Sequence, residues 1–191
     1  MLSRRSFLLT LLTPTALLVP VELYAQAGTF LSEEEAPQAV FPDANGFERI
    51  VVPSTAKLRK QVQALLGETR PSLWEREYTI FKAKGDEEWL GYALIVEEIG
   101  KHRPITFVVG ITPDGKVRDV AVMVYREPYG GAVRYRRFLK QYRGKGLRAP
   151  LLPYRDIRNV TGATLSCYSM GRGVRKALAL VQVLFLQGKL E

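Results

Sequence analysis

Cysteine and histidine are nearly missing from this chain. It has one of each, Cys167 and His102, in 191 residues. A single thiol closes no intramolecular disulfide, and it cannot assemble a multi-cysteine zinc site or an iron–sulfur cluster. One imidazole likewise excludes histidine-rich metal sites and bis-histidine haem ligation. Cys167 reads as a small apolar core residue, and His102 as a solvated turn residue. Long apolar runs are also lacking. The longest, Phe7 to Val21, is interrupted by Pro14 and Pro20 and falls short of the roughly 20 residues that a membrane-spanning helix needs. There is no internal repeat, no heptad run and no nucleophile–base–acid triad, which disfavours hydrolytic chemistry.

What is present is an ordinary globular composition, 47% apolar and 25% charged. The net charge is +9; without Met1–Ala27, which holds Arg4, Arg5 and Glu22, it is +8. Such a basic protein suits nucleic acid, anionic lipid or an acidic protein as partner.

The N-terminus reads Ser3-Arg4-Arg5-Ser6-Phe7-Leu8-Leu9, followed by the broken apolar run and by Ala25-Gln26-Ala27, a small-residue cleavage pattern. The paired arginines, the Phe two residues on and the Leu after it resemble a twin-arginine signal peptide. That resemblance implies handling by the twin-arginine translocase and a periplasmic or extracytoplasmic location, free or membrane-associated. Nucleic acid is then the least expected partner. Proteins on that route travel folded, often with a cofactor loaded. Roughly 150–165 residues remain after cleavage, a one-domain length able to bury about two-thirds of its unfolded surface.

Residues 28–46 are polar and acidic, with Glu33-Glu34-Glu35, Pro37 and Pro42, and read as a flexible leader before a domain spanning 47–191. Pro53-Ser54-Thr55 opens a predicted helix that Gly67 stops, with Leu58, Val62, Leu65 and Leu66 at helical spacing. Four alternating runs follow. Tyr78 and Ile80 share a face in the first, Leu90, Tyr92, Leu94 and Val96 in the second, Ile105, Phe107, Val109 and Ile111 in the third, and Val120, Val122 and Val124 in the fourth. The breaks between them are short, Thr112-Pro113-Asp114-Gly115 being a β-turn sequence. This predicts an antiparallel β-meander. A helix over Val133–Tyr142 and a last one over about Ser166–Gln187 complete an α+β single domain with helices packed on one face of the sheet. Residues 134–148 carry seven Arg and Lys side chains, either a solvated face or a docking surface for anionic lipid or an acidic redox partner.

The stretch Asp156-Ile157-Arg158-Asn159-Val160-Thr161-Gly162-Ala163-Thr164-Leu165-Ser166 carries the chemistry. Gly162 and Ala163 let a ligand approach the backbone. Thr161, Thr164 and Ser166 offer hydroxyls, and the N-terminus of the following helix favours a phosphate. On chemistry alone, two readings stand: a phosphate-bearing ligand near Thr164, or a hydroxyl residue that simply caps the helix.

Thr161-Gly162-Ala163-Thr164, with Ser166 two residues on, resembles the flavinylation motif of FMN-binding domains. Such domains occur in the sodium-translocating NADH:quinone reductase, in related electron-transport complexes and in exported electron carriers. The likeness extends over Trp74–Leu186, including Gly91-Tyr92, Gly100-Lys101-His102, the Thr112–Gly115 turn, and Tyr125-Arg126-Glu127-Pro128 with Gly130-Gly131. It implies one FMN per chain, joined by a phosphoester to Thr164, with Thr161, Gly162, Ala163, Ser166 and Asp156 around it. Tyr125 and Glu127 end a strand beside the glycines, where a flavin ring could lie. It also implies a flavin transferase that uses FAD and magnesium, and a membrane or periplasmic redox partner. The function implied is electron transfer rather than catalysis on a separate substrate. The alternative is a non-covalent ligand-binding or assembly module of the same fold. One departure stands out: the family places Asp three residues before the first Thr of the motif, where this chain has Arg158, with Asp156 two residues earlier.

Overall fold

The computed structural model describes residues 28–186. Residues 1–27, expected to be an export signal, lie outside them, as does Gln187. In chain order the elements are β1 (Gly28–Thr29), α1 (Ala36–Val40), β2 (Gly46–Pro53), α2 (Ala56–Leu66), β3 (Glu77–Lys84), β4 (Trp89–Ile99), β5 (Pro104–Ile111), β6 (Val117–Tyr125), α3 (Arg136–Leu139) and α4 (Thr164–Phe185). Every sheet pairing is antiparallel and the order is β1-β6-β5-β4-β3-β2, so β2 to β6 form the meander and β1 closes its far edge.

Local chemistry accounts for most boundaries. The Thr55 hydroxyl accepts the Leu58 N–H and caps α2, and Gly67 ends it at φ 61°. Between β5 and β6, Gly115 takes φ 75° and donates its N–H to the Thr112 carbonyl. Leu58, Val62 and Leu66 of α2 and Val174, Leu178 and Val181 of α4 fill one core against Tyr78, Ile80, Leu94, Val96, Phe107, Val109, Val120 and Val122. Each such buried side chain contributes about 1.5–3 kcal/mol.

Three expectations require correction. Residues 28–46 are not a flexible leader: β1 pairs with β6, and Ala36, Val40 and Phe41 are fully buried against Phe81, Ala83, Ala93, Val108 and Met123. The acidic side chains there are used locally; Glu35 accepts the Ser32 N–H and Glu33 pairs with Arg49. The domain therefore begins before residue 47, and α1 covers the sheet face opposite α2 and α4. Second, Leu90 and Val124 lie on that opposite face, because register shifts near Ala83–Lys84 and at Thr106–Phe107 break the alternation of the paired strands. The second shift turns Tyr125 back toward α4, as bulges commonly re-aim a side chain. Third, the helix expected over Val133–Tyr142 is a 3-10 turn (Gly131–Arg134), the short α3 and a second 3-10 turn (Lys140–Tyr142).

Candidate functional site

The motif forms a tight turn that feeds α4. Ala163 donates its N–H to the Val160 carbonyl across Thr161 and Gly162, and Gly162 has φ 78°, the positive value a type II turn requires at its third position. Nothing lies within 4 Å of where a Gly162 Cβ would stand. Ala163 is the buried N-cap residue without a side-chain cap, and Thr164 is the first residue of the 22-residue helix. The Thr164 hydroxyl therefore does not serve as the α4 cap. It lies beside the first helical amides, which an α-helix cannot satisfy internally and where its positive dipole end resides.

Asn159 holds that hydroxyl. Its Nδ2 donates to Thr164 Oγ1 at 2.9 Å and to the Tyr154 hydroxyl at 2.7 Å, while its Oδ1 is buried without a partner. Two clefts flank the loop. One, of about 470 Å³, is lined by Ala132, Tyr135, Arg137, Phe138, Gln141, Arg158, Asn159 and Val160. The other, of about 620 Å³, is lined by residues that include Tyr154, Arg155, Asp156, Arg158 and Thr161. Arg137, Arg155 and Arg158 are exposed, so both clefts carry guanidinium charge. Gln141 fixes the loop by accepting the Arg158 N–H at 2.7 Å and donating to the Arg158 carbonyl.

Other motif residues are placed differently from one another. Thr161 is exposed. Ser166 is 4% exposed and shares a 3.2 Å hydrogen bond with the Tyr125 hydroxyl, which also donates to the Tyr129 carbonyl. Asp156 accepts the Leu152 N–H at 3.0 Å and has Lys145 Nζ 3.1 Å from its other oxygen. Burial opposes ionisation of Asp156, but the Leu152 N–H and Lys145 hold its carboxyl below the usual range. It braces the loop and makes no hydrogen bond to Thr161 or Thr164.

Tyr125 and Glu127 do not face a ligand surface, contrary to expectation; they are 0% and 3% exposed. Tyr125 supports the site from beneath, with burial raising its phenol above the ordinary range. Glu127 accepts the His102 N–H at 2.5 Å and the Arg103 N–H at 2.9 Å. Burial raises its carboxyl, but these amides outweigh burial and hold it below the ordinary range. Gly130, at φ 80°, brings the connecting loop onto α4; a Cβ there would stand 2.9 Å from the Tyr125 hydroxyl and 3.3 Å from Ala163 Cβ.

The basic segment is divided. Arg136 and Arg143 pair with Asp119, Lys145 faces Asp156, and the Arg134 guanidinium lies 4.6 Å from the Phe30 ring centre. Arg137, Lys140 and Arg148 remain open to solvent. Sequence reasoning missed Asn159, Gln141 and Tyr154, whose types carry no signal outside the fold. Cys167 is fully buried, and burial raises its thiol.

A helix N-terminus, an open glycine turn, a half-buried hydroxyl and exposed arginines on the flanking clefts are features suited to a phosphate-bearing ligand. Residues 100–179 match the family model of the FMN-binding domain. That stretch is similar to an FMN-binding domain, and the similarity supports flavin binding. The matched stretch runs from the β4–β5 turn into α4 and contains the whole Thr161–Thr164 motif. No curated protein matches the chain. Among the described residues no helix is long and apolar enough to cross a membrane, and no group of three or more His, Cys, Asp or Glu could hold a metal ion.

Proposed function

We propose that this protein is an exported electron carrier that holds one FMN through a phosphoester to Thr164 and exchanges electrons with a membrane or periplasmic partner. The observation that carries the proposal is the placement of the Thr164 hydroxyl: it stands at the first position of α4, caps nothing, and is gripped by Asn159.

The chain's own groups fit the cofactor. The α4 amides and the guanidiniums of Arg137, Arg155 and Arg158 would hold the phosphate. Tyr129, Tyr135, Tyr154 and Leu165 are 66%, 50%, 71% and 53% exposed and offer apolar surface for an isoalloxazine. The flavin, when bound, supplies the redox chemistry; the protein supplies position and electrostatics. A flavin transferase using FAD and magnesium would make the bond. The solvent-facing Arg137, Lys140 and Arg148 suit a docking surface for an acidic partner, and such docking weakens as salt screens exposed charges.

A non-covalent module of the same fold is the second reading, and Arg158 in the family's Asp position favours it. Protein purified from its native compartment decides between them. Yellow colour that survives denaturation, with an intact mass raised by one FMN less water, supports covalent attachment; colour lost on denaturation supports the module. Export is tested separately by replacing Arg4 and Arg5 with Lys, which should stop the protein reaching the periplasm.

A further inference from the structure

We infer that Asn159, itself held by Tyr154, is a positioning residue that sets the Thr164 hydroxyl for flavin attachment; the inference rests on the attachment reading of Thr164. Three observations converge on it. Both donor contacts of the Asn159 carboxamide go to hydroxyls, Thr164 Oγ1 at 2.9 Å and Tyr154 at 2.7 Å. Its Oδ1 is buried with no hydrogen-bond partner, a cost the loop bears to keep the carboxamide there. Tyr154 takes φ 63°, a left-handed conformation rare for an aromatic residue, although the residue is 71% exposed. An exposed tyrosine gains no burial from that strained backbone. What the strained conformation accompanies is a phenol oxygen that reaches back to Asn159.

The chemistry gives the contact a use. In attachment, Thr164 Oγ1 forms a bond to the flavin-side phosphorus of FAD. The P–O bond to the AMP half breaks, AMP leaves, and the Oγ1 proton passes to a base of the transferase. Negative charge develops on Oγ1 as the proton departs. An N–H aimed at that oxygen stabilises the charge and fixes the hydroxyl rotamer. The same N–H can stay on the ester oxygen once the bond has formed. A carboxylate in this place could only accept.

The test uses the full mature chain, a flavin transferase, FAD and magnesium, with covalent flavin followed by in-gel fluorescence and intact mass. Asn159→Asp and Asn159→Leu match asparagine in size but present no donor at neutral pH. Each should lower the kcat of labelling about tenfold, the order expected for one lost hydrogen bond, with KM for the acceptor protein and its melting temperature unchanged. Tyr154→Phe should give a smaller fall, about threefold. Unchanged kcat in both Asn159 variants, or a change confined to KM, overturns the inference. Thr164→Val is run alongside. If it abolishes labelling while the Asn159 variants label like wild type, the attachment reading stands and the positioning role fails. If Thr164→Val still labels, or the wild type never does, both fall together.

Discussion

The β3–β6 meander and the 127–163 segment of the same domain obey different rules. In the meander, apolar alternation, short turns and continuous pairing agree, and the side chains between sheet and α4 are almost all dry. In the other segment, little is regular. Both non-glycine residues with positive φ among the described residues, Leu151 and Tyr154, lie there. So do Tyr142 and Asn159, two of the side chains with a buried polar atom lacking a hydrogen bond. Local consistency specifies a fold; broken local rules tend to mark a site, where strain and unsatisfied atoms are retained for something other than stability.

The largest effect should come from the rigid side. Lys176 is fully buried in α4 and contacts Glu75, Glu98 and the Leu73 and Glu97 carbonyls. Lys176→Met strands two carboxylates and should cost about 3–5 kcal/mol, read from the urea midpoint. A near-wild-type midpoint would break the contrast, since the core beneath the sheet would then be able to rehydrate.

A matched pair sharpens it. A Cβ on Gly91 would lie 2.1 Å from the Ile111 carbonyl oxygen, and one on Gly171 would lie 2.1 Å from that of Leu151. Gly91→Ala also faces φ 138° inside a paired strand and should cost about 1–3 kcal/mol. Gly171→Ala meets the backbone of Leu151, itself fully buried in the core, and alanine's helix preference of up to about 1 kcal/mol offsets only part of that clash. It should cost less than Gly91→Ala yet weaken FMN binding. Equal loss of stability in the two variants would show that the site segment is as rigid as the sheet.

Glu127 joins the two regions, and its effect is smaller and depends on pH. Its folded carboxyl is held below the ordinary range by the backbone amides of 101–103, which outweigh burial. Its stabilisation is therefore full above the ordinary carboxyl value of about 4.3 and is lost as pH falls through the lower folded value. Glu127→Gln should cost about 1–2 kcal/mol at neutral pH and nothing once the wild type is protonated. A pH-independent difference between the two denaturation curves would contradict this. Thr55→Ala, which removes the α2 cap far from the site, should cost about 1 kcal/mol and leave FMN binding unchanged.

The same contrast explains what could be read from the sequence. The strands at Glu77–Lys84, Trp89–Ile99, Pro104–Ile111 and Val117–Tyr125, the Thr55 cap and α4 all follow local patterns, and they are legible. Val124 and Leu90 were misplaced because a register shift leaves no mark in hydrophobic alternation. Residues 28–46 misled because a charged, proline-bearing stretch can still bury three apolar side chains, Ala36, Val40 and Phe41. At the site, motif resemblance brought out Thr164 and its neighbours. Asn159 and Tyr154 emerged only when the loop folded back and set a carboxamide between two hydroxyls. Tyr125 and Glu127 stand at a strand end in the sequence, yet both are buried.

The central claim is a covalent flavin on Thr164. Its most direct test is the intact mass, after denaturation, of wild type and of Thr164→Val, each produced with a flavin transferase. Thr161→Val serves as the accessible-hydroxyl control and Ser166→Ala as the buried one. The account predicts the increment of one FMN less water in wild type and in both controls, and none in Thr164→Val. An increment retained in Thr164→Val, or absent from the wild type, would contradict it.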